Sequence, residues 1–131
     1  MQEESALYKD LIGKEFSYGA RGPDKYDCYG LCMEVLRRHG VALPNFGSAV
    51  QSHIIHEMIL SGKEFFTELP GPEPFCLVTF WIRPKFTTHI GIVLEDSNRF
   101  LHILKKERAV IERLDSVLWK HRITGYYALV T

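Results

Sequence analysis

No run of apolar residues in this sequence is long enough to cross a bilayer, which excludes an α-helical membrane span. Charge of one sign is not in excess either. Lys+Arg and Asp+Glu number 16 each, so no global basic field points to nucleic acid or to an anionic membrane surface. The densest cationic run, Lys105-Lys106-Glu107-Arg108, has no interleaved aromatics and reads as a solvated turn. Cysteine is scarce: three residues, an odd number without the spacing of a disulfide framework, which suits a reducing compartment. The opening Met1-Gln2-Glu3-Glu4-Ser5 is acidic and leads into no apolar stretch of signal-peptide length. The expectation is a chain that is cytoplasmic as synthesised, so that any target outside the cell is reached by another delivery route. Internal repeats and low-complexity tracts are absent.

What remains is ordinary globular material. The chain has 131 residues, 46% hydrophobic and 24% charged, which fits one domain over residues 1–131 built around one core. Ala6, Leu7, Leu11 and Ile12 suggest a short leading helix ending at Gly13, and Lys14 to Tyr26 is a loop broken by Gly19, Gly22 and Pro23. Within it, Phe16-Ser17-Tyr18-Gly19 is a candidate extended piece. A helix follows, then a connection at Val41-Ala42-Leu43-Pro44-Asn45. Val50, Ile54, Ile55, Met58 and Ile59 predict a second helix from Ser48 to Leu60, with Phe65-Phe66 packing onto it. Pro70-Gly71-Pro72-Glu73-Pro74 is the strongest breaker and divides a helical half from a strand-rich half. Phe75 to Ile82 reads as a buried strand, and Thr87 to Leu94 with Arg99 to Leu104 as a hairpin turned at Glu95-Asp96-Ser97-Asn98. Ala109 to Leu114 is a further strand paired onward, Asp115 caps a short turn through Trp119, and Ile123 to Val130 is a last strand. Helices first and antiparallel strands second predict an α+β domain.

The first helix carries the most chemistry. In Tyr26-Asp27-Cys28-Tyr29-Gly30-Leu31-Cys32, Asp27 is a natural N-cap, and Leu31, Cys32, Val35, Leu36 and His39 fall on one face before Gly40 ends the helix. A thiol in the first turn feels the positive end of the helix dipole, which favours the thiolate. Cys28 is therefore either a nucleophile or a small buried hydrophobe. Cys32 and Cys76 read as inert core residues. A nucleophilic cysteine needs a base and a group to orient it. Six histidines are available; His89 and His102 lie in the two strands of one hairpin, ~5 Å apart if the register allows. His39, His53, His56 and His121 sit on helix faces or loop ends. The Cys28/Cys32 pair with two histidines lacks the Cys-x-x-Cys turn usual in zinc sites, so a zinc site is not expected.

Taken together, Tyr18-Gly19, Asp27-Cys28-Tyr29-Gly30-Leu31, Gly40-Val41-Ala42-Leu43-Pro44, His89-Ile90-Gly91-Ile92-Val93 and Phe100-Leu101-His102 resemble the NlpC/P60 family. These are papain-like cysteine peptidases, mostly acting on bacterial cell walls. The resemblance runs from about Tyr18 to the C-terminus and rests on the Asp-Cys-x-Gly-Leu and His-x-Gly-Ile cores in order. It implies a papain-like fold in which a central helix carrying the cysteine packs on an antiparallel sheet of five or six strands, without cofactor or metal.

The resemblance also implies roles. Cys28, His89 and His102 would be the catalytic set: nucleophile, general base and orienting group. The Cys28 N–H and the Tyr18 side chain would stabilise the oxyanion, and Asp27 would hold the free amine of a short peptide. Tyr29 stands among the substrate-facing positions where the family usually has Ser, and Pro74-Phe75-Cys76-Leu77-Val78 replaces the usual Pro-Gly-Asp-Leu-Val. An aromatic after the cysteine, in a single compact domain expected to lack a signal and wall-binding repeats, looks more like the tail-assembly branch found in phages and prophages, whose members reach the wall with the tail. The implied activity is hydrolysis, through a thioester, of a γ-D-glutamyl–diamino acid bond in peptidoglycan stem peptides. The implied partners are that peptide and phage tail proteins, with neither nucleic acid nor membrane. The alternatives are a non-enzymatic tail or wall-binding component that keeps the fold, and acyl transfer to an amine.

Overall fold

A carboxylate at the right place starts the only long helix among the described residues. The structure, a computed structural model, describes residues 5–44, 65–83 and 87–130. Helix α1 spans Cys28–Arg38, and the side chain of its N-cap Asp27 accepts a hydrogen bond from the Gly30 N–H at 2.6 Å. At the other end Gly40 has φ 79°, and the N–H groups of Gly40 and Val41 return to Arg37 O and Leu36 O at 3.0 and 2.9 Å, a Schellman stop. Leu31, Cys32, Val35 and Leu36 form the buried face. On the outer face Glu34 pairs with Arg37 and Arg38, and Arg38 also reaches Asp10, which ties the N-terminal turn to the helix.

That turn is a short 3₁₀ segment, Lys9–Leu11, in place of the longer helix expected between Ala6 and Ile12. Only Tyr8 and Leu11 of this stretch are buried, while Leu7 and Ile12 are exposed, so too few apolar contacts exist to hold several α-turns. Two short strands follow, β1 (Glu15–Phe16) and β2 (Lys25–Tyr26), which pair in parallel; the sequence had suggested only that Phe16 was extended.

The remaining strands are β3 (Phe66–Leu69), β4 (Leu77–Arg83), β5 (Thr87–Val93), β6 (Arg99–His102), β7 (Val110–Arg113) and β8 (Ile123–Leu129). They form one six-stranded antiparallel sheet in the order β3-β8-β4-β5-β6-β7. The expected hairpin is present: the Asp96 carboxylate accepts from the N–H groups of Asn98 and Arg99 and shapes its turn. Two expectations are corrected. Strand β3 precedes the Pro70–Pro74 breaker, so the breaker separates two strands instead of a helical half from a strand half. Phe66 pairs with Leu129 of β8, and its expected packing onto the helix from Ser48 to Leu60 involves residues outside those described. Strand β7 pairs back on β6 and forms an edge, while the last strand inserts between β3 and β4. The helix expected from Ser48 to Leu60 lies outside the described residues.

Both faces of the sheet are covered at its centre. Leu77, Ile90, Ile92 and Leu101 pack against Leu31, Cys32, Val35 and Leu36 of α1. Val78, Phe80, Val93 and Phe100 face the other way, where Leu114 and Trp119 of the turn before β8 close over them. A strand buried on both faces has no polar alternation, which is why β4 reads as apolar nearly throughout. No helix among the described residues is long and apolar enough to cross a membrane.

Candidate active site

Two backbone approaches, each permitted by a glycine, bring the predicted residues together. The first seats the Ser17–Ala20 turn on the start of α1. Ser17 N–H donates to Tyr26 O at 3.2 Å and Asp27 N–H to Ala20 O at 3.0 Å. A Cβ at Gly30 would stand 2.4 Å from Ala20 O, so no other residue fits there without moving the turn. Asp27 is buried, and both of its carboxylate oxygens are engaged: one takes the Gly30 N–H, the other the Arg21 guanidinium at 2.7 Å. Its charge is thus turned towards the protein.

Cys28 is the first residue of α1, and its sulfur lies against the backbone N–H of Ile90 in β5. Strand β6 pairs with β5 only at Ile92 and Val93, which leaves the edge of β5 around Ile90 open for the helix start to fill. The residue before Ile90 is His89, whose ring packs with Phe80 and Trp119, so the thiol and the predicted base attach to neighbouring residues of one strand.

The second approach is at Gly91. A Cβ there would lie 3.1 Å from both the Cβ of His102 and Leu101 O, and 3.2 Å from the Phe100 ring. With glycine in place, β6 lies close enough for His89 Nε2 and His102 Nδ1 to hydrogen-bond at 2.7 Å. The open question of register is thereby answered: the two imidazoles touch. Beyond His102 the chain of contacts continues, because His102 Nε2 meets a carboxylate oxygen of Glu112 at 2.5 Å. Glu112 stands opposite Phe100 in the β6–β7 register, on the face that carries His102.

An aromatic wall surrounds the two rings. Trp119 meets His102 edge-on at 5.0 Å and lies 6.2 Å from His89, and Phe80 and Phe100 complete the enclosure. The Trp119 Nε1 is buried and has no hydrogen-bond partner among the described residues. Glu112 and Trp119 were not singled out in the sequence. The signal for Glu112 was an acid inside the strand Val110–Arg113, where alternation aims one face at the core.

Burial sets the protonation states. The Cys28 thiol is pushed up to about 12, first by burial and then by the Asp27 carboxylate, against backbone N–H groups that pull it down. The helix dipole favours the thiolate, as the sequence suggests, but desolvation of a sulfur that is 8% exposed outweighs it. Burial holds His89 well below its ordinary value, and the neighbouring His102 adds to the effect. His102 is also lowered by burial, with Glu112 opposing. The resting site holds a neutral thiol and neutral imidazoles.

The other predicted residues are placed as follows. Tyr18 sits in the turn that covers the helix start; its ring is half-exposed, edge-on to Phe16 at 5.1 Å and 5.2 Å from Lys105 Nζ. Tyr29 is buried and donates its hydroxyl to Pro44 O at 2.7 Å, so its side chain fastens the connection after α1 and does not point at a cleft. Cys32 and Cys76 are buried, and burial raises both thiols. His39 Nδ1 bonds Val35 O, His121 is exposed, and His53 and His56 lie outside the described residues. Among the described residues no group of three His, Cys, Asp or Glu is arranged to hold a metal ion. Among the described residues, a surface hollow of about 460 Å³ lies beside Arg21, Glu34 and Arg38 and another of about 310 Å³ beside Leu36, Phe75 and Tyr127; neither is lined by Cys28 or His89.

The fold has relatives of known structure. A lipoprotein-like protein of the NLP/P60 family from Staphylococcus aureus aligns over 95% of this chain and 39% of its own, at 21% identity and a TM-score of 0.65. NlpC1 from Trichomonas vaginalis aligns over 97% of this chain and 47% of its own, at 16% identity and a TM-score of 0.66. The NlpC/p60 domain of the peptidoglycan hydrolase SagA aligns over 94% and 93%, at 16% identity and a TM-score of 0.60. The chain thus spans less than half the length of the first two. No curated protein matches the sequence significantly. The model of the NlpC/P60 family matches residues 13–128, which takes in the capped cysteine, both histidines and all but the last residue of the sheet, and the chain belongs to that family.

Proposed function

We propose that this chain is a cysteine peptidase or amidase that hydrolyses a peptide bond in peptidoglycan stem peptides, of the γ-D-glutamyl–diamino acid type. The observation that carries the reading is the meeting of Cys28, at the start of α1, with the β5 segment that bears a hydrogen-bonded His89–His102 pair. Family membership and the name of SagA as a peptidoglycan hydrolase support the substrate class.

In this reading the Cys28 thiol gives its proton to His89 as the sulfur attacks the scissile carbonyl. The Cys28 N–H and the Tyr18 hydroxyl receive the oxyanion, where one donor is worth ~3 kcal/mol. The tetrahedral adduct collapses to a thioester while His89 returns the proton to the leaving amine. A water deprotonated by His89 then releases the acid and restores the thiol. A resting site of neutral groups suits this sequence, because charge separates only when substrate has entered. Recognition of a substrate amine by Asp27 would require that amine to take the place of the Arg21 guanidinium. Delivery to the wall as part of a phage tail is the route we attach to this reading.

The test is Cys28→Ala on purified muropeptides. Turnover falls to background while the unfolding temperature stays within a few degrees of wild type; wild-type turnover in the variant would refute the mechanism. The closed thiol, 8% exposed and raised to about 12, favours a second reading: a tail or wall-binding component that keeps the fold without turnover. Wild-type protein inert on every muropeptide but co-purifying with tail proteins would establish that one.

A further inference from the structure

We infer that Glu112 is a positioning residue that fixes the tautomers of both histidines, so that Nδ1 of His89 carries the free lone pair that accepts the Cys28 proton. The tautomers rest on the contacts among Glu112, His102 and His89; that the proton comes from Cys28 rests on the peptidase reading.

The argument follows the protons. A carboxylate can only accept, so the contact between Glu112 and His102 Nε2 places a hydrogen on that nitrogen. A neutral imidazole carries one N–H, so Nδ1 of His102 is left as an acceptor. The group facing it at 2.7 Å is Nε2 of His89, which must therefore donate. His89 then also has its one hydrogen on Nε2, and its Nδ1 is basic. One acid on β7 thus determines, two rings away, which nitrogen of the base is ready to act. Without it, His102 is free to carry its hydrogen on Nδ1. The His89 Nε2 would then have to accept, and the hydrogen on His89 Nδ1 would meet a thiol that has its own proton to give.

Among the described residues no other group competes as director. Among the described residues, the titratable or charged groups facing His102 are His89 from β5 and Glu112 from β7. From β4, β6 and the turn before β8 it meets Phe80, Phe100 and Trp119, none of which titrates in the relevant range. When the thiol proton moves to His89 Nδ1, the imidazolium keeps its Nε2–H on His102. His102 keeps its Nε2–H on the carboxylate, so the charge is stabilised along the chain with no further proton transfer.

The experiment is nitrogen-correlated NMR of the imidazoles in ¹⁵N-histidine-labelled full chain near neutral pH, with assignments from single histidine variants. In the wild type, both His89 and His102 are expected with hydrogen on Nε2 and a bare Nδ1. In Glu112→Ala, His102 is expected as a mixture of tautomers, with kcat lowered roughly 10- to 100-fold and KM little changed, short of the loss from removing a base outright. A wild-type His102 with its hydrogen on Nδ1, or tautomers indifferent to Glu112→Ala, would overturn the inference. The wild-type spectrum decides even if the variant does not fold. Failure of the peptidase reading would look different: no turnover, with the tautomers as expected.

Discussion

Cys28 is buried at the end of a helix whose dipole would ionise it in the open, and the two influences are opposed. Burial raises the thiol from 9.0 to about 12, so the alkylation rate of Cys28, measured in a Cys32→Ser, Cys76→Ser background, is expected to keep rising beyond pH 9. His89→Ala should leave that profile nearly unchanged, since a neutral imidazole lends the resting thiol no charge. A rate that levels off near neutral pH, and loses that plateau in His89→Ala, would instead show a preformed thiolate–imidazolium pair. Cys28, His89 and His102 were legible because each lies in a short motif with its own local reason, a helix cap or a strand. Glu112 was not, because its role exists only once β7 pairs with β6 and turns that carboxylate to His102.

At the scale of elements, the site depends on how closely backbones approach. Gly30 faces the rigid carbonyl of Ala20 at a notional 2.4 Å, whereas the contacts at Gly91 are 3.1 Å and looser. Gly30→Ala is therefore expected to cost ~1–3 kcal/mol, a fall of roughly 5–10 °C in the unfolding temperature by calorimetry. Gly91→Ala should cost less stability but more turnover, because a shift of a few tenths of an ångström is absorbed by β6 and lengthens the His89–His102 bond. Equal losses of stability in the two variants would contradict this ranking. The helix and the hairpin were readable from capping residues and turn chemistry. Strand β3 was not, because Phe66–Leu69 is a strand by virtue of pairing with β8 from the far end of the chain.

For the whole molecule, the buried histidine and the buried thiol set a window of pH stability. His89 is held well below 6.5 in the fold, so below about pH 6.5 the unfolded chain binds a proton that the native site refuses, and stability falls as the pH drops. Cys28 is raised from 9.0 to about 12, so above pH 9 the unfolded chain gives up a proton that the native site retains, and stability falls as the pH rises. Urea unfolding across pH should show a plateau between these limits. His89→Gln should flatten the acid side, and Cys28→Ala the alkaline side. An acid limb unchanged in His89→Gln would mean that other groups govern it.

The sequence by itself determined the local grammar: an aspartate that caps, a cysteine placed first in the helix, glycines at 30 and 91, an α+β order and the family that these motifs mark. Such features act over a few residues and need no partner from elsewhere. The tertiary structure decided what depends on chain meeting chain. It put β8 between β3 and β4, seated Cys28 on the β5 edge that β6 leaves open, and linked His89 through His102 to Glu112. It also reversed the expected ionisation of the thiol, since the helix dipole is a local property whereas desolvation is imposed by everything packed around the sulfur.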